Sequence, residues 1–390
     1  MKKKLPLSYL EISKKNLIHN IKQFRKLVGD KTKISAVVKA NAYGHGDREV
    51  VKILEPYVDY FQIDKIDELE RIRKITKKPI FTFGYIEKNS LEKAIRLGGI
   101  LSVFGFQHLV LINESARKLN KKAFVHISID SLLGREGFSL DDIKKDLPKI
   151  KKMKNIQIDG IYSHFSNIED IIPESDDLFG QTTNFFHTQK QIDMYHSACD
   201  LFYQHGYKNI KTHISSTSGI LVYDNNTNSP HSIVRPGIGI YGMWPSEYLE
   251  KMWHGKIVLK PILKWVTHVA QVKILPAGHP IGYGLTYVTS KKTKIAIIPQ
   301  GYADGYGREL SNKGEVLISG KRCKVLGRVA MNMFVVDVSH LAKVKQEDEV
   351  IIIGKQGREE IKAEELAQKA NTINYEITTK ISSLLLRIVV

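Results

Sequence analysis

Eight short runs of apolar and β-branched residues punctuate the first two-thirds of this chain, each followed by a longer polar or amphipathic stretch. The runs are KISAVVK (33–39), DYFQID (59–64), PIFTFGY (79–85), ILSVFG (100–105), AFVHISID (123–130), IDGIYSHF (158–165), KTHISST (211–217) and IVRPGIGIYG (233–242). Between them lie helical patterns such as KIDELERIRKIT and the long stretch from Asp177 to Gly206. Ser13 stands where it can cap a first helix whose apolar residues Leu17, Ile21, Phe24 and Val28 share one face. Eight strand–helix units in tandem predict an α/β fold, a (β/α)8 barrel of the TIM type. The first strand is followed by no GxGxxG, which argues against a dinucleotide-binding open sheet.

After Gly242 the texture changes. ILKWVTHVAQVKIL, KIAIIPQGYADG, EVLISGKRCKVLGRVAMNMFVVDVS and DEVIIIG read as strands and turns, with IKAEELAQKAN as the one clear helix. A second, mostly β domain is expected over 251–390, after a barrel over 13–250. The segment LPLSYLEIS reads as a strand, so residues 1–12 are expected to join the second domain. The 390 residues leave room for two such units.

Composition excludes several function classes. Cys199 and Cys323 are too few and too far apart for a disulfide framework or a thiolate metal site, which suits a reducing compartment. The basic start MKKKLPLSYLEIS lacks an unbroken apolar core for secretion, and no run is long enough to span a membrane, so a cytoplasmic protein is expected. A net charge of +18 invites a nucleic-acid reading. Its lysines are dispersed in short runs, however, without zinc-finger spacing or an aromatic stripe, and solvated surface charge is the simpler account.

Barrel chemistry sits where strands end. Lys39 closes the first run; Asp130 and Arg135 follow the fifth, His164 ends the sixth, His213 to Thr217 cover the seventh, and Arg235 and Gly237 lie in the eighth. Any one of these is unremarkable as a capping or core residue. Their convergence on one mouth is what points to a site.

Four stretches in order, AVVKANAYGHG (36–46), VRPGIGIYG (234–242), GYADG (301–305) and INYEITTKIS (373–382), closely resemble the alanine racemase family. The resemblance implies a pyridoxal 5′-phosphate (PLP) enzyme of fold-type III that interconverts L- and D-alanine, supplying D-alanine for peptidoglycan precursors. It makes Lys39 the Schiff-base lysine, a role suited to an amine at a partly dry barrel mouth. It assigns Tyr43, Thr217, Gly237, Ile238 and Tyr375 to the cofactor phosphate, His164 to the pyridine ring, and Arg135 to the phenolic oxygen and the substrate. Arg235 matches the arginine that faces the pyridine nitrogen, oriented by His213. A cation there disfavours ring protonation and keeps the carbanion short-lived, as racemisation requires.

Racemisation needs proton transfer on both faces of a planar carbon. The resemblance supplies Lys39 for one face and Tyr283 of a second subunit for the other, hence a homodimer with shared sites to which Tyr302 and Met331 also contribute. Three departures stand out. Ser128 occupies the place of a commonly carbamylated lysine, leaving a bound anion or Glu136 to steady Arg135. Asn332 stands for an aspartate, and Ser216-Thr217 for Asn-Ser. A racemase for serine, lysine or several amino acids is the alternative, followed by a fold-type III decarboxylase or a single-domain PLP carrier.

Overall fold

The structure is a computed structural model describing residues 5–169, 184–225 and 231–390. Its N-terminal part is a nearly closed barrel of eight parallel strands. After the peripheral β1 (Tyr9–Ile12), the barrel strands are β2 (Lys33–Val37), β3 (Tyr60–Ile63), β4 (Ile80–Thr82), β5 (Gly99–Val103), β6 (Ala123–Ser128), β7 (Ile156–Tyr162), β8 (Lys211–His213) and β9 (Ile233–Val234). They pair in chain order from β2 to β8, and β9 returns beside β2 with Lys33 opposite Ile233. Between β8 and β9 the ring is finished by two backbone bonds, Ser232 N–H to Thr212 O at 3.0 Å and Arg235 N–H to Ser215 O at 2.9 Å.

Helices pack outside. The first, Lys14–Val28, is capped by the Ser13 hydroxyl, which accepts from Asn16 N–H at 3.3 Å, and it buries Leu17, Ile21, Phe24 and Val28. All eight strand runs hold a strand, and each strand stops short of the C-terminal end of its run. The eighth contributes only Ile233–Val234 before Pro236 removes a ladder donor, and Ile238–Tyr241 turns as a 3-10 helix. The seventh ends at His213, and Thr217 starts a short helix. The long stretch before β8 is helical over Asn184–Gln204; its first residues, 177–183, lie outside the described residues.

The C-terminal part is an antiparallel β domain. Strand β1 is built into it, antiparallel to Leu263–His268 and parallel to the last strand, Leu386–Val389. IKAEELAQKAN holds a helix over Ala363–Ala370, as its pattern predicts. A second helix that the sequence reading did not anticipate, Asn374–Thr379, follows it. Six residues are too few for a visible amphipathic period, yet this helix packs onto the barrel mouth. No helix among the described residues is long and apolar enough to cross a membrane.

Candidate active site

A cavity of about 440 Å³ opens at the C-terminal mouth of the barrel, within the usual range for small-molecule and cofactor sites. Its walls include Lys39, Tyr43, Arg135, His164, Thr217, Arg235, Gly237, Ile238 and Tyr375, so nine residues proposed from the sequence share one enclosure.

Lys39 lies beyond the strand rather than on it. Strand β2 stops at Val37, and Lys39–Tyr43 forms one tight turn in which Ala40, Asn41, Ala42 and Tyr43 all take left-handed angles (φ 52° to 54°). The stretch after Val38 is therefore a left-handed turn. Such angles cost an L-residue about 1–2 kcal/mol each, so contacts from elsewhere must hold them. Glu68 accepts from Ala40 N–H at 2.6 Å, and Arg387 donates to Gly44 O at 2.8 Å. At Gly44 (φ +86°) a Cβ would fall 1.9 Å from Thr378 O, so only glycine lets the C-terminal helix seat against the turn.

Arg235 is 2 % exposed, and its guanidinium makes four hydrogen bonds. It donates to His213 Nδ1 (2.6 Å), Ser163 O (2.8 Å), Ile214 O (2.9 Å) and His164 Nδ1 (3.2 Å). Burial pushes its guanidinium down to about 10, which still leaves it cationic at neutral pH. Burial and the Arg235 charge push His164 down to about 3 and His213 well below the usual histidine range, so both rings are neutral acceptors toward the arginine. Phe83, which the sequence reading passed over, is approached by both basic side chains: Lys39 Nζ is 5.5 Å and Arg235 Cζ 5.7 Å from its ring centre. It sits in the third strand run at the height of the other mouth residues, and that position was its only signal. Gln62 was also missed; it lines the cavity, 3 % exposed, with no hydrogen-bond partner for its Oε1 among the described residues.

The opposite wall suits a phosphate. Tyr43 and Tyr375 face one another with ring centres 6.0 Å apart, and burial raises both hydroxyls above their usual range, keeping them O–H donors. The Thr217 hydroxyl accepts from Gly237 N–H (3.0 Å) and Gly239 N–H (3.2 Å), leaving its own hydrogen to donate. A Cβ on Gly237 would sit 2.7 Å from the Tyr43 oxygen and fill the cradle. An aldehyde-reactive amine, a cation at the floor and hydroxyl donors beside glycine fit a phosphorylated pyridine aldehyde such as PLP.

Arg135 projects from the loop after β6. Asp130 braces that loop by accepting from Leu133 and Gly134 N–H, each at 3.0 Å. Glu136 pairs with Arg135 through two hydrogen bonds, one of them at 2.8 Å, and holds its pKa up. Glu136, one of the two expected substitutes for a carbamate charge, is in contact with Arg135. Ser128, 2 % exposed, does not reach Arg135 in any hydrogen bond; its hydroxyl points to Glu136 O at 3.5 Å.

The remaining sequence-derived residues are elsewhere. Tyr283, Tyr302, Met331 and Asn332 are exposed on the C-terminal domain and form no part of the cavity wall. Tyr283 is 73 % exposed, on a hairpin between Pro280–Ile281 and Tyr287–Val288. Tyr302 and Met331 lie side by side, because Tyr302 N–H and Ala303 N–H bond Ala330 O and Met331 O.

Comparison with known proteins agrees with this geometry over the whole chain. The family model described as alanine racemase, N-terminal domain, matches residues 12–245, and that for the C-terminal domain matches residues 262–389. An alanine racemase of Desulforamulus reducens is 35% identical over 378 residues, 96% of each chain. The solved alanine racemase of Clostridium difficile 630 superposes with a TM-score of 0.89 at 31% identity, covering 100% of this chain and 97% of its own. The alanine racemase of Bartonella henselae, solved with covalently bound pyridoxal phosphate, gives 0.83 at 25% identity, covering 99% and 100%. The chain belongs to the alanine racemase family.

Proposed function

We propose that this member of the alanine racemase family interconverts L- and D-alanine with PLP held in the Lys39 cavity, supplying D-alanine for peptidoglycan precursors. One observation carries the reading: a lysine amine and a buried, charged arginine line one cavity and approach the same aromatic ring, 5.5 Å and 5.7 Å from the centre of Phe83. Bound PLP supplies an aldehyde and a conjugated ring that accepts the electron pair left when Cα loses its proton.

The chain's own residues do the rest. The hydroxyls of Tyr43, Thr217 and Tyr375 and the backbone around Gly237 and Ile238 bind the phosphate. Arg235 would face the ring nitrogen; a guanidinium has no acceptor and keeps its proton, so it would leave that nitrogen unprotonated and moderate the ring's pull on electrons. That favours rapid return of the proton over side reactions. His164 would pack against the ring, while Arg135, steadied by Glu136, would bind the phenolic oxygen and the substrate carboxylate.

Lys39 takes or returns the Cα proton on one face. The other face is served by Tyr283 of a second copy, which makes the enzyme a homodimer with two shared sites. Support comes from the exposed Tyr283, Leu285, Tyr302, Met331 and Met333, a concentration of apolar surface on one domain. Residues 13–250 form the cofactor domain and 251–390, with 1–12, the partner-facing domain of a cytoplasmic protein.

The test is a chiral assay of purified protein with PLP and either enantiomer of alanine, run across the other amino acids as well. Racemisation of alanine, lost in Lys39→Ala, is expected. A protein that binds PLP and leaves every amino acid unracemised sinks the proposal.

A further inference from the structure

Below Arg235 the barrel holds a continuous polar chain that the proposed reaction does not use. His213 Nε2 meets His126 Nδ1 at 2.7 Å, and His126 Nε2 meets Asp159 Oδ2 at 3.1 Å. Asp159 Oδ1 accepts from Lys211 Nζ at 2.6 Å. His126 and His213 are each 1 % exposed. Asp159 and Lys211 line a surface cleft on the opposite side of the ring from the mouth, near the strand starts. The chain thus threads the barrel interior from one end to the other.

Its direction follows from chemistry. Arginine only donates, so His213 Nδ1 must accept and its proton sits on Nε2. His213 Nε2–H then donates to His126 Nδ1, and His126 Nε2–H donates to the Asp159 carboxylate. Every group has one role, held at the mouth end by the donor-only Arg235 and at the far end by the ionised Asp159, the terminal acceptor. Burial pushes Asp159 up, but bonds from His126 and Lys211 outweigh it and bring it down to about 2.

The surrounding packing is shaped for this chain. Gly160 faces His126, where a Cβ would lie 2.9 Å from His126 Nε2, and the β6–β7 register shifts at that residue. Tyr162 stacks on His213 with centres 5.3 Å apart and planes within 8°, while Phe81 closes on both imidazoles.

We infer that Asp159 is a positioning residue for Arg235, acting through His126 and His213 to fix their tautomers and the aim of the guanidinium at the ring nitrogen. The inference rests on the PLP racemase reading for its kinetic consequence, but its structural content stands apart from it. Selectively ¹⁵N-histidine-labelled holoenzyme gives the direct readout. Both His126 and His213 are expected as Nε2–H tautomers, and an Nδ1–H tautomer at either one overturns the inference without any variant.

In Asp159→Leu the His126 and His213 signals should change, and kcat for alanine should fall about 10-fold, the usual scale for a supporting residue, with KM little altered. Asp159→Asn, which keeps an acceptor oxygen, should restore the wild-type tautomers. Unchanged His213 signals in a folded Asp159→Leu protein refute the inference. If the wild type fails to racemise alanine while the tautomers are as stated, the functional reading fails and this one survives.

Discussion

Replacing Gly237 by alanine tests the phosphate cradle. The new Cβ would lie 2.7 Å from the Tyr43 oxygen, 3.3 Å from Tyr43 Cζ and 3.7 Å from Val37 Cβ. Ordinary contacts begin near 3.5 Å, so the hydroxyl must retreat by roughly 0.8 Å. It cannot swing freely, because Tyr241 and Tyr375 flank its ring at 5.1 Å and 6.0 Å. Overpacking of this kind costs about 1–3 kcal/mol of stability. A charge-assisted bond from Tyr43 to phosphate, worth about 1.5–3 kcal/mol, is lost with the displacement. PLP affinity should therefore fall by roughly 10- to 150-fold.

The assay is a fluorescence titration of apoenzyme with PLP, alongside pyridoxal, which lacks the phosphate. PLP binding should weaken and pyridoxal binding should hold nearly constant. The double variant Tyr43→Phe, Gly237→Ala removes the clashing oxygen, so it should regain most of the lost stability while PLP affinity stays low. A folded Gly237→Ala protein with wild-type PLP affinity, or one that loses pyridoxal equally, refutes the cradle.

Three further outcomes are expected. A mixture of Lys39→Ala and Tyr283→Ala subunits, each inactive alone, should regain racemase activity after subunit exchange, because a mixed dimer holds one intact site; no recovery in proven heterodimers counts against Tyr283 of a second copy. Glu136→Gln should lower kcat/KM by about 10-fold by leaving Arg135 without its counter-charge, and added chloride should restore part of the loss, whereas wild-type activity should ignore chloride. Finally, His45 is buried and held down to about 4, chiefly by desolvation. The unfolded chain, with an ordinary histidine pKa near 6.5, binds that proton first, so stability is full above about pH 6.5 and falls toward pH 4 with a slope of up to roughly 1.4 kcal/mol per pH unit; urea unfolding of wild type and His45→Gln should differ by that slope, and parallel curves would show the reasoning wrong.

Much of the site was legible because a barrel converts chain position into spatial position. Once eight strand runs alternate with helices, the residues at their ends must face one mouth, and Lys39, His164, Thr217 and Arg235 follow from that rule alone. The alternation comes from local physics, in which β-branched runs are buried on both faces and amphipathic stretches cover them. The abrupt change in pattern after Gly242 marked the second domain for the same reason.

What the sequence could not disclose depends on contacts between distant segments. The left-handed turn after Val38 is unfavourable for Ala40 through Tyr43 and persists because Glu68, Thr378 and Arg387 close around it. Tyr375 reaches the cavity on a six-residue helix whose position is set by docking rather than by its own periodicity. His126 lies inside a strand run and carries no signal of its own there; its meaning appeared only when β6, β7 and β8 stood side by side and joined it to His213 and Asp159. Local pattern determined the barrel and the height of each functional side chain within it. Tertiary packing decided their conformations, partners and protonation states, because burial and hydrogen bonding are properties of neighbours that lie far away along the chain.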